Sequence, residues 1–229
     1  MSSSSWRRVS AAVVAAVAAL SLSGCGASQP GAAAKVGDQT VTASDVNRLT
    51  DGYCAAFEPQ FKADGTVLPM QVVRGYVAGT MTVNAAAQQL AASYGITEPE
   101  GYIEATKNLE TQAAGLPAAH RDEVLEVENA GAYTNAVEAQ VGGLLLADEG
   151  KTDADDATKA SRGREAMQEW MGENTADVNP RYGIGIANGT FTDVDNDTSY
   201  PLSANAVAAG KSQPDQAYAA TLPSSQRCG

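Results

Sequence analysis

The chain has few of the residues from which enzymes most often build an active site. Histidine occurs once in 229 residues, at His120, and cysteine occurs three times. A single histidine beside a helix start is more often a surface residue than a catalyst, and no second histidine exists to build a metal site. No serine lies in a nucleophile-elbow motif. We therefore expect a protein that is not an enzyme and that has no metal site and no cofactor.

Calcium ligands are also incomplete. Asp193, Asp195 and Asp197 alternate as an EF-hand loop would begin, but Thr198 follows where that loop needs glycine. The twelfth position of the loop is Ala204, where the EF-hand has glutamate. The EF-hand interpretation therefore fails, and a looser cation site stays open as an alternative.

Basic residues are scarce in this chain. Lys and Arg number 15 against 27 Asp and Glu, which gives a formal net charge of −12. Nucleic-acid binding depends on dense Lys and Arg, so this balance argues against a nucleic-acid partner. It argues equally against broad electrostatic adhesion to anionic lipid. Any attachment to a membrane should therefore come from an anchor.

The N-terminus supplies such an anchor. Arg7 and Arg8 precede an apolar stretch over residues 11–20 that is too short to span a bilayer, which is typical of a signal peptide. Leu22-Ser23-Gly24-Cys25 follows and resembles the bacterial lipobox. The resemblance implies that residues 1–24 are removed and that Cys25 is acylated. The alternative is an ordinary signal sequence in which this cysteine occurs by chance.

The lipobox interpretation predicts a protein that is lipid-anchored to the cell membrane on its extracytoplasmic face. Residues 25–34 would form the lipidated cysteine and a flexible tether. Cys54 and Cys228 are then left as an even pair in an oxidising compartment, where a disulfide between them is the economical interpretation. Two free thiols are the alternative, because a sequence does not show whether two Cα atoms come within bridging distance.

Apolar spacing predicts a mainly α domain over residues 35–194, with five helices, a short N-terminal strand or hairpin and a small C-terminal β element. Gly37-Asp38 suits the first turn, and Asn188-Gly189 is a strong signal for the second hairpin. The first predicted helix is capped by Thr42 and ends before residues 63–67, and the second covers about 69–94. The third is opened by a Thr97–Glu100 capping box. The fourth follows Leu116-Pro117 and ends at Gly150, and the fifth covers about 153–171.

Two further expectations concern glycine and the C-terminus. Gly75 and Gly79 lie one turn apart in the second predicted helix, a spacing that would admit a closely packed neighbouring helix unless both glycines are simply tolerated. Residues 195–229 are rich in Ser, Asn, Ala, Gly and Pro. We expect an irregular tail there, ordered only if Cys228 is tied down.

Residues 35–46, 94–100 and 179–183 carry a resemblance to known proteins. Residues 35–46 are similar to the opening of the SurA and PrsA family of extracytoplasmic chaperones, and residues 94–100 to its internal helix junction. Residues 179–183 are similar to a C-terminal segment of actinobacterial lipoproteins described as SurA-N-like. The resemblance implies a SurA-N-like helical domain that binds unfolded or exported polypeptide. Family members often carry a parvulin isomerase domain, but only a few residues separate Glu173 from Asn179, so isomerase activity is not expected.

Flexible thioethers and flat rings adapt to varied apolar clients, so side chains of these types are the candidates for polypeptide binding. They are Phe57, Phe61, Tyr76, Met81, Met167 and Trp170. The competing interpretation is that these residues form the core. Two other functions stay open: an envelope adaptor that docks one dedicated protein partner, and a lipoprotein that binds a small ligand, which is weaker because alternating strand–helix units are lacking.

Overall fold

Helices dominate the structure, a computed structural model that describes residues 30–194, 203, 207–208 and 216–229. The predicted mainly α class is confirmed. The helices are α1 (Ala43–Asp64), α2 (Met70–Ser93), α3 (Tyr102–Ala113), α4 (Arg121–Asp148), α5 (Asp156–Glu173) and a short α6 (Gln216–Thr221). The strands are β1 (Ala32–Val36), β2 (Gln39–Thr42), β3 (Leu68–Pro69), β4 (Ala176–Val178), β5 (Ile184–Ala187), β6 (Thr190–Asp193) and β7 (Arg227–Cys228). Within these ranges, no helix combines the length and apolar character that a membrane crossing needs.

The N-terminal hairpin forms as predicted and begins earlier than expected. β1 and β2 pair antiparallel around Gly37, whose φ of 54° suits a tight turn. Ala33 is fully buried in β1. The expected tether over 25–34 is therefore too long at its C-terminal end. The alanines at 32–34 are buried in β1 and belong to the sheet. The sequence also gave no signal for β4, which pairs with the other edge of β1.

Local capping defines the long helices. The hydroxyl of Thr42 accepts a hydrogen bond from the Asp45 amide at 3.1 Å, and α1 ends at Gly65 with a φ of 65°. The Asp155 side chain caps α5 in the same way, accepting from the Thr158 amide at 2.8 Å. Each capping side chain lies three residues before the amide that it binds, so the sequence alone indicates where these two helices begin.

The predicted start of α3 is wrong. The helix begins at Tyr102 after Gly101, which has a φ of 77°, and no side chain caps it. Ile96 and Pro99 are instead buried, and the Glu100 amide donates to Oε1 of Gln140 on α4 at 3.0 Å. Contacts with the rest of the domain therefore hold the 96–100 segment in a non-helical path and override the Thr97–Glu100 capping box.

The other four long helices pack around α4, which contacts α1, α2, α3 and α5. Its interface with α5 is unusually close because glycines face each other there. A Cβ added at Gly142 would lie 2.6 Å from the Gly163 amide nitrogen, and one added at Gly163 would lie 2.7 Å from the Glu138 Cα. The two backbones thus touch at this crossing, and Val137, Val141 and Met167 are buried beside it.

The C-terminal hairpin forms as predicted. β5 and β6 pair around Asn188 and Gly189, which have φ values of 52° and 73°. The hairpin packs on α2, where a Cβ at Gly75 would meet the Tyr182 carbonyl oxygen at 3.1 Å and one at Gly79 would meet Ile184 Cδ1 at 3.4 Å. The neighbours admitted by these two glycines are therefore the 3₁₀ turn at Tyr182 and the hairpin that follows it, and not the helix that their spacing suggested.

The last residues return to the start of the domain. Cys54 on α1 and Cys228 on β7 form a disulfide with a Cα–Cα distance of 5.6 Å. β7 pairs with β3, and a small apolar cluster with Met70 and Val73 surrounds the disulfide. An irregular tail was expected here unless Cys228 was held in place. The disulfide holds Cys228, and residues 216–229 form α6, a 3₁₀ turn and β7. Asp195, Asp197, Thr198 and Ala204 of the rejected calcium loop, and also Cys25 and residues 1–24, lie outside the described residues.

Candidate functional site

An open apolar groove runs between α2, α4 and the C-terminal hairpin. Its volume is about 430 Å³, and it faces solvent along one side. We call this feature the apolar groove. It is lined by Tyr76, Thr80 and Val83 on α2, Thr134 and Asn135 on α4, Ile184 on β5, Phe191 on β6, and the glycines Gly75, Gly79 and Gly131.

Glycine on two helices explains why the groove exists. Gly75 and Gly79 let the hairpin approach α2 closely, and the side chain of Gln71 holds the preceding segment by donating to the Arg181 carbonyl at 2.7 Å. On the opposite side, a Cβ at Gly131 would meet no atom within 4 Å. The space between hairpin and α4 therefore stays unfilled because position 131 has no side chain.

A hydrogen-bonded cluster of two tyrosines and a glutamate lies at one end of the groove. The Tyr53 hydroxyl donates to Oε1 of Glu128 at 2.8 Å, and the Tyr76 hydroxyl donates to the same oxygen at 3.2 Å. Burial, and then the hydrogen bond to Glu128, raise the pKa of Tyr53 well above its usual value. Burial and the negative charge of Glu128 raise the pKa of Tyr76. Both hydroxyls are therefore neutral donors at physiological pH.

Aromatic rings extend from this cluster along α1. The Tyr53 ring centroid lies 5.7 Å from that of Tyr76 and 4.8 Å from that of Phe57, and Phe57 lies 6.1 Å from Phe61. Phe61 packs against the apolar cluster around the disulfide. Tyr76 is 48% exposed, whereas Phe57 and Phe61 are partly buried. The accessible aromatic surface next to the groove is therefore mainly that of Tyr76.

The six candidate residues do not form one surface. Tyr76 lines the apolar groove, and Phe57 and Phe61 belong to the aromatic row on α1. Met81 and Trp170 pack against the main core, and Met167 is a core residue with 1% exposure. The expectation that Met167 binds clients is corrected, because its side chain is enclosed between helices and is not accessible to another chain.

The sequence interpretation missed most of the groove. Val83 follows Tyr76 at i+7, and Gly79 lies between them on the same side of α2. This glycine between two larger side chains is the one feature of the local sequence that indicates a groove. Ile184 and Phe191 were placed in the hairpin, but their position over α2 depends on tertiary packing. Thr134, Asn135 and Gly131 carry no pattern that separates them from an ordinary helix surface.

A second, more polar depression lies beside α5. Glu165, Glu169 and Glu173 follow one side of α5 and line a second depression of about 510 Å³ beside Asn188. In the described ranges, no group of three or more His, Cys, Asp or Glu is placed to hold a metal ion. His120 lies in the 3₁₀ turn before α4 and is not part of the apolar groove.

The groove thus has apolar walls and one acidic end. Comparisons with protein-family models, with curated proteins and with solved structures found no match for this chain. The similarity of residues 35–46, 94–100 and 179–183 to the SurA and PrsA family therefore stays a prediction from sequence.

Proposed function

We propose that this chain is an exported lipoprotein that binds non-native polypeptide in the apolar groove, as a chaperone without prolyl isomerase activity. The observation that carries the proposal is the open groove between α2, α4 and the C-terminal hairpin. An exposed apolar concavity with polar groups at its edge is typical of a protein-interaction site. The resemblance of three segments to extracytoplasmic chaperones supports the same interpretation.

The size of the groove sets the length of the segment that it holds. Pockets for small ligands enclose roughly 300–1,000 Å³ and cover most of the ligand surface. This groove has about 430 Å³ and is open on one side. It therefore suits one or two apolar side chains of an extended segment whose backbone remains outside. Such a contact is weak and tolerant of sequence, which are useful properties in a chaperone.

The N-terminal motif would hold the groove near the membrane. Because β1 begins at Ala32, acylated Cys25 would be joined to the domain by residues 26–31 alone. Six extended residues reach at most about 20 Å. Acyl chains contribute about 0.8 kcal/mol per buried methylene, and two or more anchor stably. Replacement of Cys25 by serine should move the protein from the membrane fraction to the soluble fraction of cell extracts.

Filling the groove tests whether it is the binding site. In Gly131→Leu, the new side chain enters space where even a Cβ has no neighbour, so the helix is not strained. We expect affinity for a short apolar peptide to fall at least about tenfold, because burial of one apolar side chain contributes about 1.5–3 kcal/mol. Gly131→Ala is the matched control, since it makes the same backbone change and fills little of the groove.

The wild type, Gly131→Leu and Gly131→Ala can also be compared for their ability to slow the aggregation of a client protein. At equimolar amounts with an aggregating client, the wild type and Gly131→Ala should slow the rise of light scattering, and Gly131→Leu should slow it much less. Equal protection by all three proteins would show that clients bind elsewhere. No protection of several unrelated clients by the wild type would refute the chaperone proposal.

A second candidate, an envelope adaptor with one dedicated partner, is favoured by a different observation. Met167 is enclosed and Met81 and Trp170 pack on the core, so the apolar surface next to the groove is small. A small site suits one short motif better than many long clients. Crosslinking in intact cells through a photoreactive residue at position 135 separates the two: many exported proteins for a chaperone, a single protein for an adaptor.

A further inference from the structure

We propose that the apolar groove selects polypeptide segments in which a basic residue lies beside the bound apolar side chain, and that Glu128 binds this basic residue. The inference depends on the proposed function, because it names the class of segment that the groove takes. It is carried by three features of the groove end: the position of Glu128, the absence of a cation paired with it, and the way in which two tyrosines hold it.

Glu128 lies at the end of the groove on the same side of α4 as the groove residues. Gly131 and Asn135 follow it at i+3 and i+7, a spacing that places all three along one side of a helix. Tyr76 connects the two parts directly, because its ring lines the groove and its hydroxyl donates to Glu128. A chain whose apolar side chain enters the groove beside Gly131 therefore passes Glu128 within one helical turn.

The charge of Glu128 is not neutralised by a cation in the part of the chain that the structure describes. The ion pairs within 4 Å there join other groups, including Arg48 with the nearby Glu126 at 2.8 Å. The two tyrosine hydroxyls that reach Glu128 are neutral and both bind Oε1. Oε2 has no hydrogen-bond partner among the described residues, so it is an open acceptor for an incoming donor.

The tyrosines also prepare the carboxylate for binding. Two hydrogen bonds to one oxygen fix its orientation, which lowers the entropy that would be lost when a lysine or arginine binds. The half-exposed ring of Tyr76 adds a surface on which a guanidinium or ammonium group is attracted to the ring face. The formal net charge of −12 acts in the same direction over longer distances, since it attracts basic segments and repels acidic ones.

A series of three peptides tests the proposal on the purified protein. The peptides share one extended sequence with a central Leu-Phe pair and differ at the next residue, which is Lys, Gln or Glu. By fluorescence anisotropy at low salt, we expect the Lys peptide to bind about five- to tenfold more tightly than the Gln peptide, between the effect of an exposed ion pair and that of a hydrogen bond to a charged group. The Glu peptide should bind most weakly.

Two variants connect the preference to one carboxylate. Glu128→Gln keeps an oxygen acceptor for the two tyrosines and removes the charge, so the Lys and Gln peptides should bind it within about twofold of each other. Glu98→Gln is the control, because it removes the same charge from the exposed loop after α2, and α2 ends about 26 Å along its axis from Tyr76 at 1.5 Å per residue. It should retain the preference for Lys.

Salt gives a readout that does not depend on any variant. Raising the ionic strength to about 1 M shortens the screening length to about 3 Å, so the preference of the wild type for Lys should shrink while the affinity of the Gln peptide changes little. Equal binding of the Lys and Gln peptides at low salt would overturn the inference and leave polypeptide binding intact. Failure of all three peptides to bind would overturn both.

Discussion

Replacing Gly163 with alanine is the sharpest test of the packing between α4 and α5. A Cβ at this position would lie 2.7 Å from the Cα of Glu138 and still closer to its carbonyl group. Ordinary contacts between carbon atoms are about 3.5–4.0 Å, so the overlap is about 1 Å. The obstacle is backbone on both sides, so no side chain can rotate away, and the two helices have to separate.

The expected effect is the balance of two opposing contributions. Alanine favours a helix over glycine by about 1 kcal/mol, whereas inserting a group into a packed interface costs about 1–3 kcal/mol. The upper part of that range applies here because relief requires movement of whole helices beside the buried Val137, Val141 and Met167. We expect Gly163→Ala to lower the free energy of unfolding by about 2 kcal/mol.

Gly131→Ala supplies a control of the same chemical type on α4. No atom lies within 4 Å of its new Cβ, so only the gain in helix propensity of about 1 kcal/mol remains. The two variants should therefore differ by about 3 kcal/mol. In urea unfolding followed by far-ultraviolet circular dichroism, that difference corresponds to midpoints about 1–1.5 M apart for a slope of about 2–3 kcal/mol/M.

A result in which Gly163→Ala is as stable as Gly131→Ala would refute the close crossing of α4 and α5. The double variant Gly142→Ala, Gly163→Ala gives a further check. A Cβ at Gly142 would lie 2.6 Å from the Gly163 amide nitrogen, so the first substitution already separates the helices for the second. We therefore expect the combined destabilisation to be smaller than the sum of the two single effects.

Two further predictions concern pH and redox state. Burial raises the pKa of Glu138, against a smaller opposing effect of Arg164 at 3.8 Å. The protonated form therefore favours the folded state, and the free energy of unfolding falls as pH rises through the native pKa. Glu138→Gln should raise the urea midpoint at pH 7 and not at about pH 3.5, and equal shifts at both pH values would contradict this. The disulfide closes a separation of 174 residues, for which the chain-entropy model gives a stabilisation of the folded state of at most about 5 kcal/mol. Reduction should therefore lower the melting temperature. The double variant Cys54→Ser, Cys228→Ser should melt at the same temperature as the reduced protein, and its melting temperature should not change when reductant is added.

Local signals account for most of the fold that the sequence predicted. Thr42 with Asp45 specifies the start of α1, and Asn188-Gly189 specifies a hairpin, because each involves atoms a few residues apart. The pairing of Cys54 with Cys228 spans the domain, but it followed from removing Cys25 from a count of three. These predictions needed no knowledge of how the helices pack.

Predictions failed where contacts distant in sequence decide the local structure. The Thr97–Glu100 pattern is a good capping box, yet Gln140 binds the Glu100 amide and burial of Pro99 fixes another path. β4 is three residues long and carries no alternating pattern of its own, so only its pairing with β1 makes it a strand. The apolar groove is a further case, since its walls come from α2, α4 and a hairpin that begins at Ile184, far in sequence from the end of α2 at Ser93.

Helical glycines show most directly why the groove was not visible in the sequence. Gly79, Gly131 and Gly163 all interrupt helices in alanine-rich surroundings, and helix propensity penalises each by a similar amount. Their neighbours differ: Gly79 contacts the hairpin, Gly163 contacts the backbone of α4, and Gly131 faces open space. Packing explains the first two glycines, because a side chain there would push another element away. It does not explain Gly131, where alanine would stabilise the helix and displace nothing; under the proposed function, the missing side chain leaves space for a bound segment.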